Sequence, residues 1–376
     1  MNTPRKALTV SIACVSIILF IAGIYPYIAG QNSPSTNEAT ASPTPTATAS
    51  TTPTPTFTVT PTPSPTVTPT VTPSPTPEPS INVTSASSGG IPSLGAGSFT
   101  WKMTISGFYQ PTDVALDNTG NIYVLDAGHQ LVWKFSPNGS IITKWGSLGT
   151  GNGQFTLPNS IAVDSNGYVY VADIKRIEKF TLDGTYVTQW ENIWSTNIAT
   201  DSNGNVYVAL SGNCIKKYSP NGELLMQIGS YGAGDDKFVR GPVDVAVDAY
   251  GTIYTLDYQN PVLYEGKTQY TDTCVKVFAA NGTFLYKFGN FGGATWDGFF
   301  DTPCGLTVDK NGNIYVADTG NFRIQKFANN GTYIKQCGTY GSGKLQFENA
   351  LNIAVDDSGC IYVVDMGAGS VQKIKG

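Results

Sequence analysis

From about residue 113 to the C-terminus, short apolar runs alternate with turn-forming dipeptides. VALD, IAVD, IATD, VAVD, LTVD and IAVD each open a turn of the form Asp-x-x-Gly, and an IYV-type segment follows. Runs this short, rich in Val, Ile and Tyr and bounded by Gly and Asn, predict strands rather than helices. Stacking them exposes a repeat. Asp117-NTGNIYVL-Asp126 recurs at Asp164–Asp173, Asp201–Leu210, Asp248–Asp257, Asp309–Asp318 and Asp356–Asp365, and its first Asp advances by 47, 37, 47, 61 and 47 residues. A third strand ends at Phe135, Phe180, Tyr218, Phe278 or Phe327. Next come Asn138-Gly139, Asp183-Gly184, Asn221-Gly222, Asn281-Gly282 and Asn330-Gly331, dipeptides that predict type I′ hairpins into a fourth strand.

Four strands in such a repeat make one blade of a β-propeller, so six copies predict an all-β, six-bladed propeller. A small residue in each inner strand (Ala115, Ala162, Ala199, Ala246, Thr307, Ala354) suits the crowded axis. The sixth repeat stops after its third strand, at VQKIKG. Residues from about Ser98 to Ile105 match a fourth strand, with Lys102 set against Lys144, and are expected to close the ring by pairing two open edges. The propeller is therefore assigned to residues 97–376.

Before it the pattern changes twice. Arg5 and Lys6 precede an uncharged stretch whose apolar heart runs from Ala7 to Tyr25, about one bilayer span at ~1.5 Å per residue. Residues 1–30 are expected to be a transmembrane helix with the propeller extracytoplasmic, or else a cleaved signal that yields a secreted protein. Residues 31–96, mostly Thr, Pro, Ser and Ala, read as a disordered, polyproline-like linker. The linker is expected to join the propeller on the side of the Asn-Gly turns and to leave the opposite loops facing outward.

Composition narrows the function. With 13% charged residues and a net charge of −5, the chain lacks the basic surface that nucleic acid requires. Its six cysteines include no CxxC pair. Cys14 lies in the apolar run, and Cys304 and Cys337 fall on strands about three spacings of ~4.8 Å apart, too far for a bond. No disulfide framework is expected among these two, Cys214, Cys274 and Cys360. One histidine, His129, cannot make a multi-histidine zinc site. The DSNGN segments place Gly fourth rather than sixth and lack the twelfth-position Glu, so they read as turns and not calcium loops. The periodic aspartates are expected to accept turn N–H groups.

The combination of P-x-x-[IV]-A-V-D, Gly312-NIYVA-Asp318 and Asn321-FRIQK-Phe327, with the joints Gly149-TGNGQ-Phe155 and Gly341-SGKLQ-Phe347, resembles the NHL repeat from about Ser98 to Gly376. That resemblance implies the propeller fold. It leaves function open between protein-binding sensors, RNA-binding domains and a few lyases. Repeat three departs from it, with Leu210 in place of the second Asp.

The positions that vary between repeats supply the candidate sites. Asp113, Asn197, Asp244 and Asn352, together with Ser160 and Gly305, are expected to ring one mouth of the central channel. A divalent cation there would parallel lactonase-type propellers. Aromatic residues cluster on the loops of one face: Tyr231 and Tyr340 on joints between blades, Trp296, Phe299 and Phe300 on another joint, and Tyr258, Tyr264 and Tyr270 in an insertion of repeat four. Such rings suit a protein or glycan ligand. Asn82, Asn138, Asn281 and Asn330 lie in N-glycosylation acceptor patterns. The expected function is recognition of a protein or glycan at the cell surface by a monomeric, tethered propeller without a cofactor. The alternative is a metal-dependent lactonase- or lyase-like enzyme.

Overall fold

The computed structural model describes residues 79–85, 98–258, 262–264, 267–269 and 273–376. The expected membrane segment, most of the linker and Tyr270 lie outside them. No helix among the described residues is long and apolar enough to cross a membrane.

Six antiparallel sheets follow one another as blades, and their innermost strands neighbour each other in a closed circuit. Blade 1 comprises Pro111–Leu116, Ile122–Asp126, Leu131–Phe135 and Ile141–Trp145, in that order from the axis outward. Blades 2 to 5 repeat this order, beginning at Pro158, Ser195, Pro242 and Gly305. Blade 6 takes Ala350–Val355, Cys360–Asp365 and Ser370–Lys375, and then Thr100–Ser106 as its fourth strand. The ring is thus closed by the predicted segment, in a register shifted by two residues. Ile105 faces Val371 as Trp145 faces Val132, so Ile105 and not Met103 stands in the place of Trp145. A shift of two keeps every side chain on its face, which is why the sequence pattern accommodates both registers.

Two local motifs differ from expectation. The Asn-Gly turns are not type I′, which needs positive φ at both central residues. Only the glycine is left-handed, at φ 90° for Gly139, and its N–H donates to the carbonyl of Ser136. The third and fourth strands then slip by one residue, between Lys134 and Phe135. This is a type I turn with a glycine bulge, favoured because Pro137 fixes a negative φ just before Asn138. The second difference is a strand, Asn82–Ser85, inside the stretch assigned to the linker. It pairs antiparallel with the closing strand and makes blade 6 five-stranded.

The first-strand aspartates act as anticipated. Asp117 Oδ1 accepts the N–H groups of Thr119 and Asn121, and the other five cap their own turns alike. Their second oxygen has a further use. In every blade the second-strand tyrosine (Tyr123, Tyr170, Tyr207, Tyr254, Tyr315, Tyr362) is buried and donates its hydroxyl to that aspartate. Burial, and then the neighbouring carboxylate, pushes the Tyr123 hydroxyl well above its usual range. In five blades a third-strand lysine lies over the ring, as Lys217 does over Tyr207 at 4.8 Å. Each unit buries a large aromatic surface and pairs its polar tip, which is how six polar tyrosines serve as core.

Candidate functional site

The joints between blades and the loops after each second strand share one side of the propeller, here called the joint face. Four joints carry the same device. A large side chain two residues after a glycine (Leu148, Tyr231, Phe291, Tyr340) forms a short parallel bridge with a phenylalanine (Phe155, Phe238, Phe300, Phe347). All four phenylalanines are fully buried between blades, each worth about 2–3 kcal/mol by burial. Phe300 therefore belongs to the core and not to a ligand surface. Tyr258 is also buried, which removes it from the surface set. Tyr264 lies in the small hairpin Val262–Tyr264 and Lys267–Gln269 of the repeat-four insertion.

The other end of three of these bridges (Leu148, Tyr231, Tyr340) is exposed, while Phe291 is half-buried and Trp296, farther along its joint, takes the exposed place. Tyr231 is 74% exposed, Trp296 57% and Tyr340 52%, as a ligand surface requires. Trp296 and Phe299 meet edge to face at 5.4 Å, and Tyr340 meets Phe322 at 5.0 Å. Sequence reasoning missed Leu148 and Tyr109, which are as exposed as these, and Phe322. Leu148 was legible: Gly146-Ser147-Leu148-Gly149 repeats Gly229-Ser230-Tyr231-Gly232 and Gly338-Thr339-Tyr340-Gly341. Tyr109 had no such signal. It stands on the short joint into blade 1, against His129 at 5.6 Å. His129 itself contacts Asp126 at 2.8 Å, consistent with a loop histidine.

These loops are fastened from beneath by the second-strand aspartates. Their work is at the joints and not at the turns. Asp173 accepts the N–H groups of Thr156 and Leu157, Asp365 those of Glu348 and Asn349, and Asp318 that of Asp301. A third-strand residue of the same blade then reaches the carbonyls of the joint. Arg323, only 2% exposed, donates to Asp318 at 2.7 Å and to the carbonyls of Ala294, Trp296 and Phe299. Gln325 brackets Phe299 and Gly298, and Asn321 donates to the Gly292 carbonyl. Arg176 does the same for Thr150 and Gln154, Lys276 for Gly234 and Lys237, and Gln372 for Gly343 and Gln346. Burial, outweighing its hydrogen bonds from Asn321 and Arg323, raises the Asp318 carboxyl to about 6. The N-x-R-I-Q segment is thus a bracket for the loop that carries Trp296.

The channel-mouth residues lie on the inner strands near this face, but they are buried. Asp113, Asn197, Asp244 and Asn352 are each under 10% exposed. Their bonds explain why. Asp113 Oδ2 accepts Ser160 Oγ at 2.7 Å and the Ile161 N–H at 2.8 Å, both in the next blade, while Oδ1 accepts Val114. Ser160 passes the pattern on by accepting Ile198, and Asp244 accepts Leu306. The fifth blade has Gly305 here and no side chain to offer, and Asn352 accepts the N–H of its own neighbour Ile353, as Asp113 and Asp244 accept those of Val114 and Val245. The contacts of Asp113, Ser160 and Asp244 join blade 1 to blade 2, blade 2 to blade 3 and blade 4 to blade 5. Burial raises the Asp113 carboxyl to about 7, and burial followed by the charge of Asp113 raises Asp244 well above the usual range. Among the described residues no group of three or more metal-ligating side chains is gathered.

Asn138, Asn281 and Asn330 are exposed on the turns of the opposite side, each side chain accepting the N–H two residues on. Asn82 is exposed on the edge strand. Cys337 is a free thiol pushed by burial up to about 12 and is not bonded to Cys304, as expected, but Cys304 is itself disulfide-bonded, against the expectation that it would remain outside any disulfide.

Comparison with known proteins agrees with this architecture. The NHL repeat family matches residues 108–135 and 300–327, and a beta-propeller repeat family matches residues 185–212. The chain is 27% identical over 194 residues to human NHL repeat-containing protein 3, covering 44% of this chain and 50% of that protein. It is 41% identical over 92 residues to peptidyl-glycine alpha-amidating monooxygenase A of Xenopus laevis, covering 22% of this chain and 10% of that one. The chain thus spans about half the length of the first of these relatives and a tenth of the second. Among solved structures, a protein of unknown function from Bacteroides thetaiotaomicron superposes with a TM-score of 0.53 at 16% identity, over 79% of this chain and 76% of its own. At that identity the likeness concerns the fold alone.

Proposed function

Since the chain belongs to the NHL-repeat β-propellers, we propose that its joint face is a recognition surface for a protein or glycan ligand. The observation that carries this reading is the contrast within each joint. The backbone is bracketed by buried Arg, Lys or Gln side chains, while the large side chain at its tip stands in solvent. Exposed rings on a backbone already fixed lose little entropy on binding, which favours affinity. In the setting proposed, residues 1–30 anchor the protein in a membrane, the propeller stands outside as a monomer, and residues 31–78 are the spacer. A secreted form after cleavage is the variant of this setting.

Asp113, Asp244 and Asn352 give less support to a metal-dependent lactonase or lyase. Their side-chain oxygens are buried and accept backbone N–H groups of their own or the next blade. Their work is to fasten the ring.

The triple substitution Tyr231→Ala, Trp296→Ala, Tyr340→Ala tests the proposal. Binding on a glycan array or to intact cells is expected to fall at least tenfold, because exposed aromatic anchors dominate such interfaces. The melting temperature is expected to stay within about 2 °C, since surface substitutions usually cost under ~0.5 kcal/mol each. Undiminished binding would refute the reading, and a collapse in stability would reassign these rings to packing.

A further inference from the structure

At the other joints the outer strand of one blade fastens the turn of the next in a regular way. The glycine of that turn sits against a large side chain. A Cβ built at Gly184 would fall 2.5 Å from Trp145, at Gly222 2.6 Å from Trp190, at Gly331 2.7 Å from Phe288, and at Gly282 3.1 Å from Ile228. These four large residues occupy one equivalent position, opposite Val132, Ile177, Val275 and Ile215. At the seam between blades 6 and 1 the equivalent position is Ile105, and Ile105 is not what touches the turn. The side chains beside Gly139 are Val83, at 2.7 Å from the built Cβ, and Met103, at 3.0 Å. Val83 comes from the edge strand.

Two further contacts bind that strand to the same seam. Ile81, two residues from Val83 and so on the same face, packs against the core cluster that joins blades 6 and 1, which holds Met103, Ile105, Phe108 and Trp133. The carbonyl of Ser80 lies against Gly107, where any side chain would collide with it. The pairing register is Asn82 to Ser106, Val83 to Ile105, Thr84 to Thr104 and Ser85 to Met103.

We infer that the outer edge of Thr100–Ser106 and the hollow at Gly139 form a strand-acceptor site, which residues 80–85 of the same copy fill to fasten the blade 6–blade 1 seam. Its ligand class is an extended peptide with apolar side chains at alternate positions. Main-chain pairing supplies the attachment, and the hollow selects a compact β-branched side chain where other joints hold an aromatic or a longer aliphatic one. The site does not depend on what the joint face recognises.

The test uses the full-length chain with Ile81→Asp and Val83→Asp. Both residues lie outside the four-stranded blades, so the blades should still form. Hydrogen exchange is expected to quicken at least tenfold in Thr100–Ser106 and in the turn Ser136–Ser140, with blades 3 and 4 unchanged. Ile81→Val with Val83→Ile should keep wild-type protection. Adding a synthetic peptide of residues 79–88 to the Asp variant should restore it. Unchanged exchange at Ser136–Ser140, or no restoration by the peptide, would overturn the site. A second variant, Thr84→Cys with Thr104→Cys, should oxidise to a bond within one chain. Covalent dimers through those two positions would overturn the assignment of the ligand to the same copy.

Discussion

Replacing Arg323 by Ala should cost the fold about 3–5 kcal/mol and lower the melting temperature by roughly 10 °C. The guanidinium is buried against Asp318 and serves three carbonyls of the joint loop. Its removal leaves a carboxylate that burial already pushes up to about 6, now without its cation, and leaves the carbonyls of Ala294 and Trp296 without this donor. Arg323→Lys should recover only part of the loss, because one ammonium cannot reproduce a fork that reaches five acceptors, Gln336 Oε1 among them. The Trp296 loop should also become cleavable by protease well below the melting temperature. Thermal denaturation and timed proteolysis check both. A variant within 2 °C of wild type with an intact loop would show that Asn321 and Gln325 hold the joint unaided.

Asp113→Asn should stabilise the protein at pH 7.5 and leave it unchanged at pH 4. Asp113 titrates at the ordinary 3.8 when unfolded and at about 7 when folded. Between those values the folded state holds a proton that the unfolded chain has released. The contribution of this group is therefore greatest at low pH and is lost as pH rises to about 7. Three units at ~1.4 kcal/mol each bound the gain from Asn at about 4 kcal/mol. The amide keeps an acceptor for the Ile161 N–H without the buried charge, but it turns its NH2 to the Val114 N–H, which takes back part of that gain. Asp244→Asn should act in the same direction, and its gain should shrink in the Asp113→Asn background, because part of the rise at Asp244 comes from Asp113. Urea midpoints of variant and parent at pH 4, 6 and 7.5 isolate these carboxyls from others that titrate nearby. A variant less stable than its parent at pH 7.5 would show that the charge is needed where it stands.

Blade count, strand order and ring closure could be read from the chain because each is repeated, and a repeated pattern averages over local accident. The turn role of the first-strand aspartates was legible for the same reason. What escaped was carried by single contacts. Phe300 and Trp296 look alike in sequence and sit four residues apart, yet one fills the gap between blades and the other faces water. Only the repeat position of Phe300, shared with Phe155, Phe238 and Phe347, separates them. Asn82–Ser85 has four residues, no repeat and a polar neighbourhood, and it becomes a strand only because an open edge and a hollow await it. The channel aspartates were placed on the correct strands. Their burial depends on the next blade coming close enough to donate its N–H groups, which no single repeat reveals.

The edge strand runs downward from Ser106, and Ser80 lies beside Gly107, so the chain arrives at Pro79 on the joint face and not among the Asn-Gly turns. Tension along the N-terminal chain would therefore act on the rim beside Tyr109. The first contact to bear that force would be the pairing of four residues with the closing strand, and the next would be the seam of the ring.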